Sequence, residues 1–134
     1  MDKNDRVRDT WAKVIVHREA LASRFYTLLF QKAPQTQALF KNDMQAQGVK
    51  LIDTLNFIVD HLDEPDLLLP AARDLAVRHV SYGVAPEHYE IVGACLIEAM
   101  QSILGDEFDE AATADWVETY GGLVGHMLPV AYPS

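Results

Sequence analysis

Apolar side chains recur along this chain at intervals of three and four residues, the spacing that puts them on one face of a helix. The strict alternation of a half-buried strand is nowhere sustained. A first helix is expected to open near Asn4, a residue type suited to capping, and to carry Val7, Trp11, Val14 and Ile15 inward. A second spans about 18–32, with Ala22, Phe25, Leu28 and Leu29 on one face and Tyr26 and Phe30 beside it. Ala33-Pro34 ends it, because proline disfavours the helical conformation in the residue before it. Pro34 also suits the first turn of a new helix, and 35–40 is long enough for a turn or two.

A polar link over 41–43 leads to a long helix over 44–61, whose inner stripe reads Gln47, Leu51, Thr54, Leu55, Ile58 and Leu62. The composition of 63–66 predicts a connection. The next helix, 67–80, gathers Leu68, Ala72, Leu75, Ala76 and His79 on one face, with Pro70 in its first turn. After a loop over 81–85, Pro86-Glu87 begins a helix, with proline at the first position and an acid near the positive end of the dipole. It runs to about Leu104 and stops at Gly105. Asp109 then caps a last helix through Trp116, Tyr120, Leu123, Val124, Met127 and Leu128, ending before Pro133. Gly121, Gly122 and Gly125 within it read as points of close helix approach, at a cost in helix propensity. The pattern predicts an all-α fold of about seven helices, one domain over 1–134, without repeats.

Composition narrows the partners. At 134 residues one core can bury about two-thirds of the unfolded surface. The chain is 49% hydrophobic and 23% charged, so it is not of disordered type. A net charge of −9 with 11 scattered basic residues argues against nucleic acid or an anionic membrane as partner, since both need clustered Lys and Arg. Cys95 is the single cysteine, so no internal disulfide forms, and its neighbours Val92, Leu96 and Ile97 suit a small buried hydrophobe. The start of the chain lacks the apolar core of a signal peptide, and no apolar run approaches the ~18 residues of a membrane span. The expectation is a soluble cytoplasmic protein.

Candidate chemistry is sparse. His79 shares an apolar helix face with Leu68, Ala72 and Leu75, and the carbonyl of Leu75, one turn earlier, is placed to hold one of its ring nitrogens. As a class, such histidines are more often satisfied core residues than ligands, so the position alone leaves both open. Tyr26 faces inward among Ala22, Phe25 and Phe30, where its hydroxyl needs a partner. Gln47 heads the inner stripe of its helix. Each alone is equally consistent with ordinary packing or solvation, and the helix pattern also fits a bundle or a sensor module.

Taken together, the order and spacing of these residues resemble the globin family, in particular bacterial single-domain globins and the haem domains of flavohaemoglobins, over nearly the whole chain. Tyr26 lies eight residues before Pro34, Phe40 six after it, and Gln47 seven after Phe40. Arg78-His79-Val80-Ser81-Tyr82-Gly83-Val84 is similar to the proximal-histidine segment, Pro86-Glu87-His88-Tyr89-Glu90-Ile91-Val92-Gly93 to the start of the seventh helix, and Trp116 with Tyr120-Gly121 to the last. The resemblance implies haem b (iron protoporphyrin IX), with His79 as the iron ligand and Tyr26 and Gln47 as distal hydrogen-bond donors. It implies further that Phe40 wedges against the haem, that Leu51 shapes the ligand side, and that Val84, Val92 and Leu96 complete the apolar walls. Lys50 and Arg78, each one residue from an inward position, are candidates to meet the propionates. Tyr89 stands at the tyrosine position of the flavohaemoglobin proximal site, but Ala131 stands where that branch has a glutamate. An ordinary neutral histidine is therefore expected. The function so implied is reversible binding of dioxygen, with nitric oxide or carbon monoxide as further ligands, in a monomer or weak homodimer. The alternatives are a nitric oxide dioxygenase working with a separate reductase, or a haem-based gas sensor. His17, His61, His88 and His126 fall outside the matched ligand positions.

Overall fold

Asp2, not Asn4, starts the first helix: its carboxylate accepts the Asp5 N–H at 2.8 Å, capping α1 (Lys3–Val14) two residues earlier than the pattern suggested. A computed structural model describes residues 2–40 and 43–132; Lys41 and Asn42 of the expected polar link, and Pro133, lie outside them. Among the described residues five more α-helices follow: α2 (Arg18–Lys32), α3 (Met44–Asp60), α4 (Pro65–Ser81), α5 (Pro86–Leu104) and α6 (Glu110–Ala131). The segment after Pro34, counted above as a seventh helix, is a 3-10 turn over Pro34–Leu39. Six residues with proline at the front are too few for a stable α-helix, and the tighter turn suits so short a piece.

Two other boundaries differ for local reasons. Pro65 takes the first position of α4, so the helix begins two residues early and Pro70 falls inside it on the exposed face. Proline there removes the hydrogen bond to the Asp66 carbonyl, and exposure lets water take its place. In α3 the buried residues are Gly48, Ile52 and Val59, whereas Gln47, Leu51, Thr54, Leu55 and Ile58 are half-buried, as is Leu62 in the turn after the helix ends at Asp60. The helix thus turns a flank of its apolar face, not the centre, toward the stripe read from sequence. Asp109 caps α6 as expected, accepting the Ala112 N–H at 2.9 Å.

The packing order matters more than the count. α2 packs mainly on α5 and α4 mainly on α6, while α1 lies against α6. Consecutive helices α3 and α4 make at most marginal contact, so the chain splays open between them. Close crossings use glycine: a Cβ on Gly48 would stand 3.2 Å from that of Ala22, where α3 meets α2, and one on Gly93 would stand 2.6 Å from the Tyr120 ring. By contrast, Gly121, Gly122 and Gly125 face open space, so the close approach expected of them does not occur. The apolar side chains form two separate clusters. The larger joins α1, α2, α3 and α5 to the front half of α6, and Cys95 is fully buried in it. The smaller gathers Ala72 and Ala76 of α4, Tyr89 of α5 and Met127 of α6.

Candidate functional site

His79 sits in the last turn of α4 beside the smaller cluster, on the face that Ala72 and Ala76 bury. Its Nδ1 lies 2.7 Å from the Leu75 carbonyl, one turn back, as the sequence spacing suggested. A carbonyl accepts only, so Nδ1 carries the proton and Nε2 keeps its lone pair. Nε2 has no hydrogen-bond partner among the described residues. Burial, aided by the neighbouring Arg78 charge, pushes the imidazole pKa down and keeps the ring neutral. The Tyr89 ring stacks on it, centroids 5.9 Å apart. The Tyr89 hydroxyl is buried without a hydrogen-bond partner among the described residues, and Ala131 borders the same cluster with only a methyl group. No carboxylate among the described residues bonds either ring.

Tyr26 stands in α2, buried in an aromatic nest: Phe25 and Phe40 meet it edge-on at 4.9 and 5.4 Å, and Phe30 lies 6.0 Å away. Its hydroxyl points toward α3 and donates to the Gln47 backbone carbonyl over 3.5 Å, the weak limit of such a bond. Burial raises its pKa to about 12, so it remains an O–H donor at any physiological pH. The structure therefore brings Tyr26, Phe40 and the backbone of Gln47 together, with the Gln47 side chain half-buried beside them. Phe40, Leu51 and Val92 border the larger cluster as half-buried side chains, Leu96 lies inside it, and Val84 borders the smaller one. Lys50 is exposed and makes no ion pair among the described residues, and Arg78 is exposed and pairs with Asp74 at 3.2 Å.

Three side chains that position this region escaped sequence reasoning. Tyr120 donates to the Tyr89 carbonyl, and Tyr132, which ends α6, donates to the Val84 carbonyl. Together they tie the start of α5 and the preceding link to α6. His88 accepts the Ala85 N–H on Nδ1 at 2.9 Å, closing the first turn of α5. For His88 the overlooked signal is a polar side chain three residues into a helix that begins with proline.

The sequence pattern of the globin family matches residues 23–127. The chain belongs to the globin family. This globin is 34% identical over 115 residues to a flavohemoprotein of Bordetella parapertussis, covering 84% of the chain and 29% of that protein. It is 32% identical over 127 residues to a flavohemoprotein of Rhodopirellula baltica, covering 92% of the chain and 30% of that protein. The globin thus spans under a third of the length of these relatives. Among solved structures it superposes with a TM-score of 0.83 on an engineered carbene transferase built on a Rhodothermus marinus protein named for nitric oxide dioxygenase activity (29% identity, 93% of this chain and 87% of that one). A bacterial globin from Campylobacter jejuni gives 0.82 at 25% identity, covering 96% and 94%. Among the described residues, no helix of this globin is long and apolar enough to cross a membrane.

Family membership implies a haem, and the residues fit one. Two apolar clusters stand where one core would be expected, bordered by the half-buried side chains Phe40, Leu51, Leu55 and Val92 on one and Leu75, Val84, Leu123 and Val124 on the other. Half-buried apolar surface suits a flat apolar ring. The imidazole keeps its Nε2 lone pair unengaged, a donor of the type that iron in a porphyrin takes.

Proposed function

We propose that this globin holds haem b between α3 and α4, with His79 as the iron ligand, and binds dioxygen reversibly. The observation that carries the reading is the His79 geometry: Nδ1–H fixed on the Leu75 carbonyl, Nε2 unengaged, and the ring kept neutral by burial. Bound there, haem supplies a ferrous iron with one coordination position for a diatomic gas. His79 gives the Nε2 lone pair, and the Leu75 carbonyl sets the orientation of its ring. Without a carboxylate acceptor, the ring stays an ordinary neutral donor and does not gain the anionic character that favours bond cleavage. From the other helices, the Tyr26 hydroxyl and the Gln47 amide offer O–H and N–H donors to a gas ligand carrying partial negative charge. Phe40, Leu51, Val84, Val92 and Leu96 exclude water, and Lys50 and Arg78 meet the carboxylates at the haem edge. Nitric oxide and carbon monoxide fit the same pocket.

The test is direct. Purified protein should take up one haem per chain, with an absorption spectrum that shifts on adding carbon monoxide, and His79→Ala should lose that haem. A His79→Ala protein that retains haem with an unchanged spectrum overturns the assignment of the ligand. A second reading, nitric oxide dioxygenase fed by a separate reductase, draws on the name of the Rhodothermus marinus relative. Catalytic turnover of nitric oxide with an added electron donor favours it, and a single turnover followed by arrest favours the gas-binding reading.

A further inference from the structure

The link between α4 and α5 leaves His79 through a compact turn. The His79 carbonyl receives the N–H groups of Tyr82 at 3.2 Å and Val84 at 3.0 Å. One residue on, Ala85 caps α5, but alanine has no side-chain acceptor to offer. The backbone carbonyl takes its place: the His88 N–H donates to the Ala85 carbonyl at 3.0 Å, and in return the Ala85 N–H donates to Nδ1 of His88 at 2.9 Å. Helix starts usually assign that return bond to Glu or Gln, whose acceptors survive any mild change of pH. An imidazole accepts at Nδ1 only while neutral, with its proton on Nε2.

We propose that His88 is a positioning residue that makes this corner acid-sensitive: its neutral ring holds the Ala85 N–H at the start of α5, and protonation releases that hold. Glu87 and Glu90 flank the ring in sequence on α5 itself. From α6, Tyr132 reaches the neighbouring Val84 carbonyl. α4 contributes Arg78, drawn to Asp74, and His79, bound to Leu75. None of them hydrogen-bonds the His88 ring, so the Ala85 N–H is its one hydrogen-bond partner among the described residues. The Ala85 N–H makes no other hydrogen bond among the described residues, so once the ring is charged only water can take it. The Val84 carbonyl stays tied to α6, so the freedom gained is confined to Ala85, between that anchor and Pro86.

The inference is independent of whether the pocket takes haem. Hydrogen exchange of the protein as purified, resolved at Ala85 and corrected for intrinsic rates, tests it between about pH 8 and pH 5. In the wild type, protection of Ala85 should fall about five-fold across that range. In His88→Gln, which restores an acceptor that does not titrate, it should stay level. Equal profiles in the two proteins overturn the proposal. Nitrogen-detected NMR of the wild type gives an answer without any variant: an Nε2–H tautomer at pH 8 supports the proposal, and an Nδ1–H tautomer overturns it.

Discussion

Two histidines close to one another in sequence are held in opposite tautomers. His79 keeps its proton on Nδ1 for the Leu75 carbonyl, and His88 gives up Nδ1 to the Ala85 N–H. Composition treats them alike, and only the hydrogen-bond partner separates a candidate ligand from a helix cap. The same logic applies to Tyr26, whose hydroxyl is buried and satisfied only over a long 3.5 Å contact. A stronger acceptor nearby can recruit it. Tyr26→Phe should accelerate dioxygen release about ten- to a hundred-fold, the value of a hydrogen bond to a charged group, as read by stopped-flow displacement. Because burial raises its pKa to about 12, the wild-type rate should show no Tyr26 titration up to about pH 10. Asp115 offers a second residue-scale test. It is buried and paired to Arg6 through two contacts, of 2.7 and 3.1 Å, and the pairing lowers its pKa. A carboxylate whose folded pKa is depressed stabilises the fold above its unfolded value near about 4, and that stabilisation is lost as the pH falls through the folded value. Asp115→Asn should therefore lower the urea midpoint at pH 7 and converge with wild type in strong acid.

At the scale of elements, the glycines divide by what lies opposite them. Gly93→Ala drives a methyl into the Tyr120 ring, which cannot swing away while its hydroxyl is bound to the Tyr89 carbonyl. It should destabilise the protein by about 1–3 kcal/mol in denaturant titration. Gly121→Ala, Gly122→Ala and Gly125→Ala meet nothing, and each should stabilise by about 0.5–1 kcal/mol through helix propensity alone. Sequence could not separate these cases, since a glycine in a helix reads the same whether a ring or solvent faces it. The elements themselves were legible because apolar periodicity and punctuation agree: Pro86 and Gly105 bound α5, and Asp109 caps α6, as expected. Starts were missed where two capping residues compete, as Asp2 does with Asn4, and where two prolines do, as Pro65 does with Pro70. In the site, the His79–Leu75 bond follows from helix geometry and was readable. The ties from Tyr120 and Tyr132 to the α4–α5 corner join distant parts of the chain and leave no local pattern.

For the whole molecule, charge sets the terms of any partnership. With a net charge of −9, and seven of its 20 aspartate and glutamate side chains paired with Lys or Arg among the described residues, the globin presents a largely negative exterior. An electron donor that works with it must approach against that field or carry a basic face. If a separate reductase sustains turnover, the reduction rate should fall as ionic strength rises from about 0.01 to 0.15 M, because screening weakens attraction between opposite charges. A rate that rises with salt indicates a negatively charged donor.

The dependence of α4 on α6 also orders the assembly of the protein in time. As the polypeptide emerges from the ribosome, the helix carrying Tyr26 can meet α5, and the helix carrying Gln47 can meet α2, before α6 exists. The support on which His79 rests is then still to be translated. A nascent chain halted ahead of residue 110 would own a half-built pocket whose α4 lacks its main packing partner, and loading of the prosthetic group should follow translation of α6.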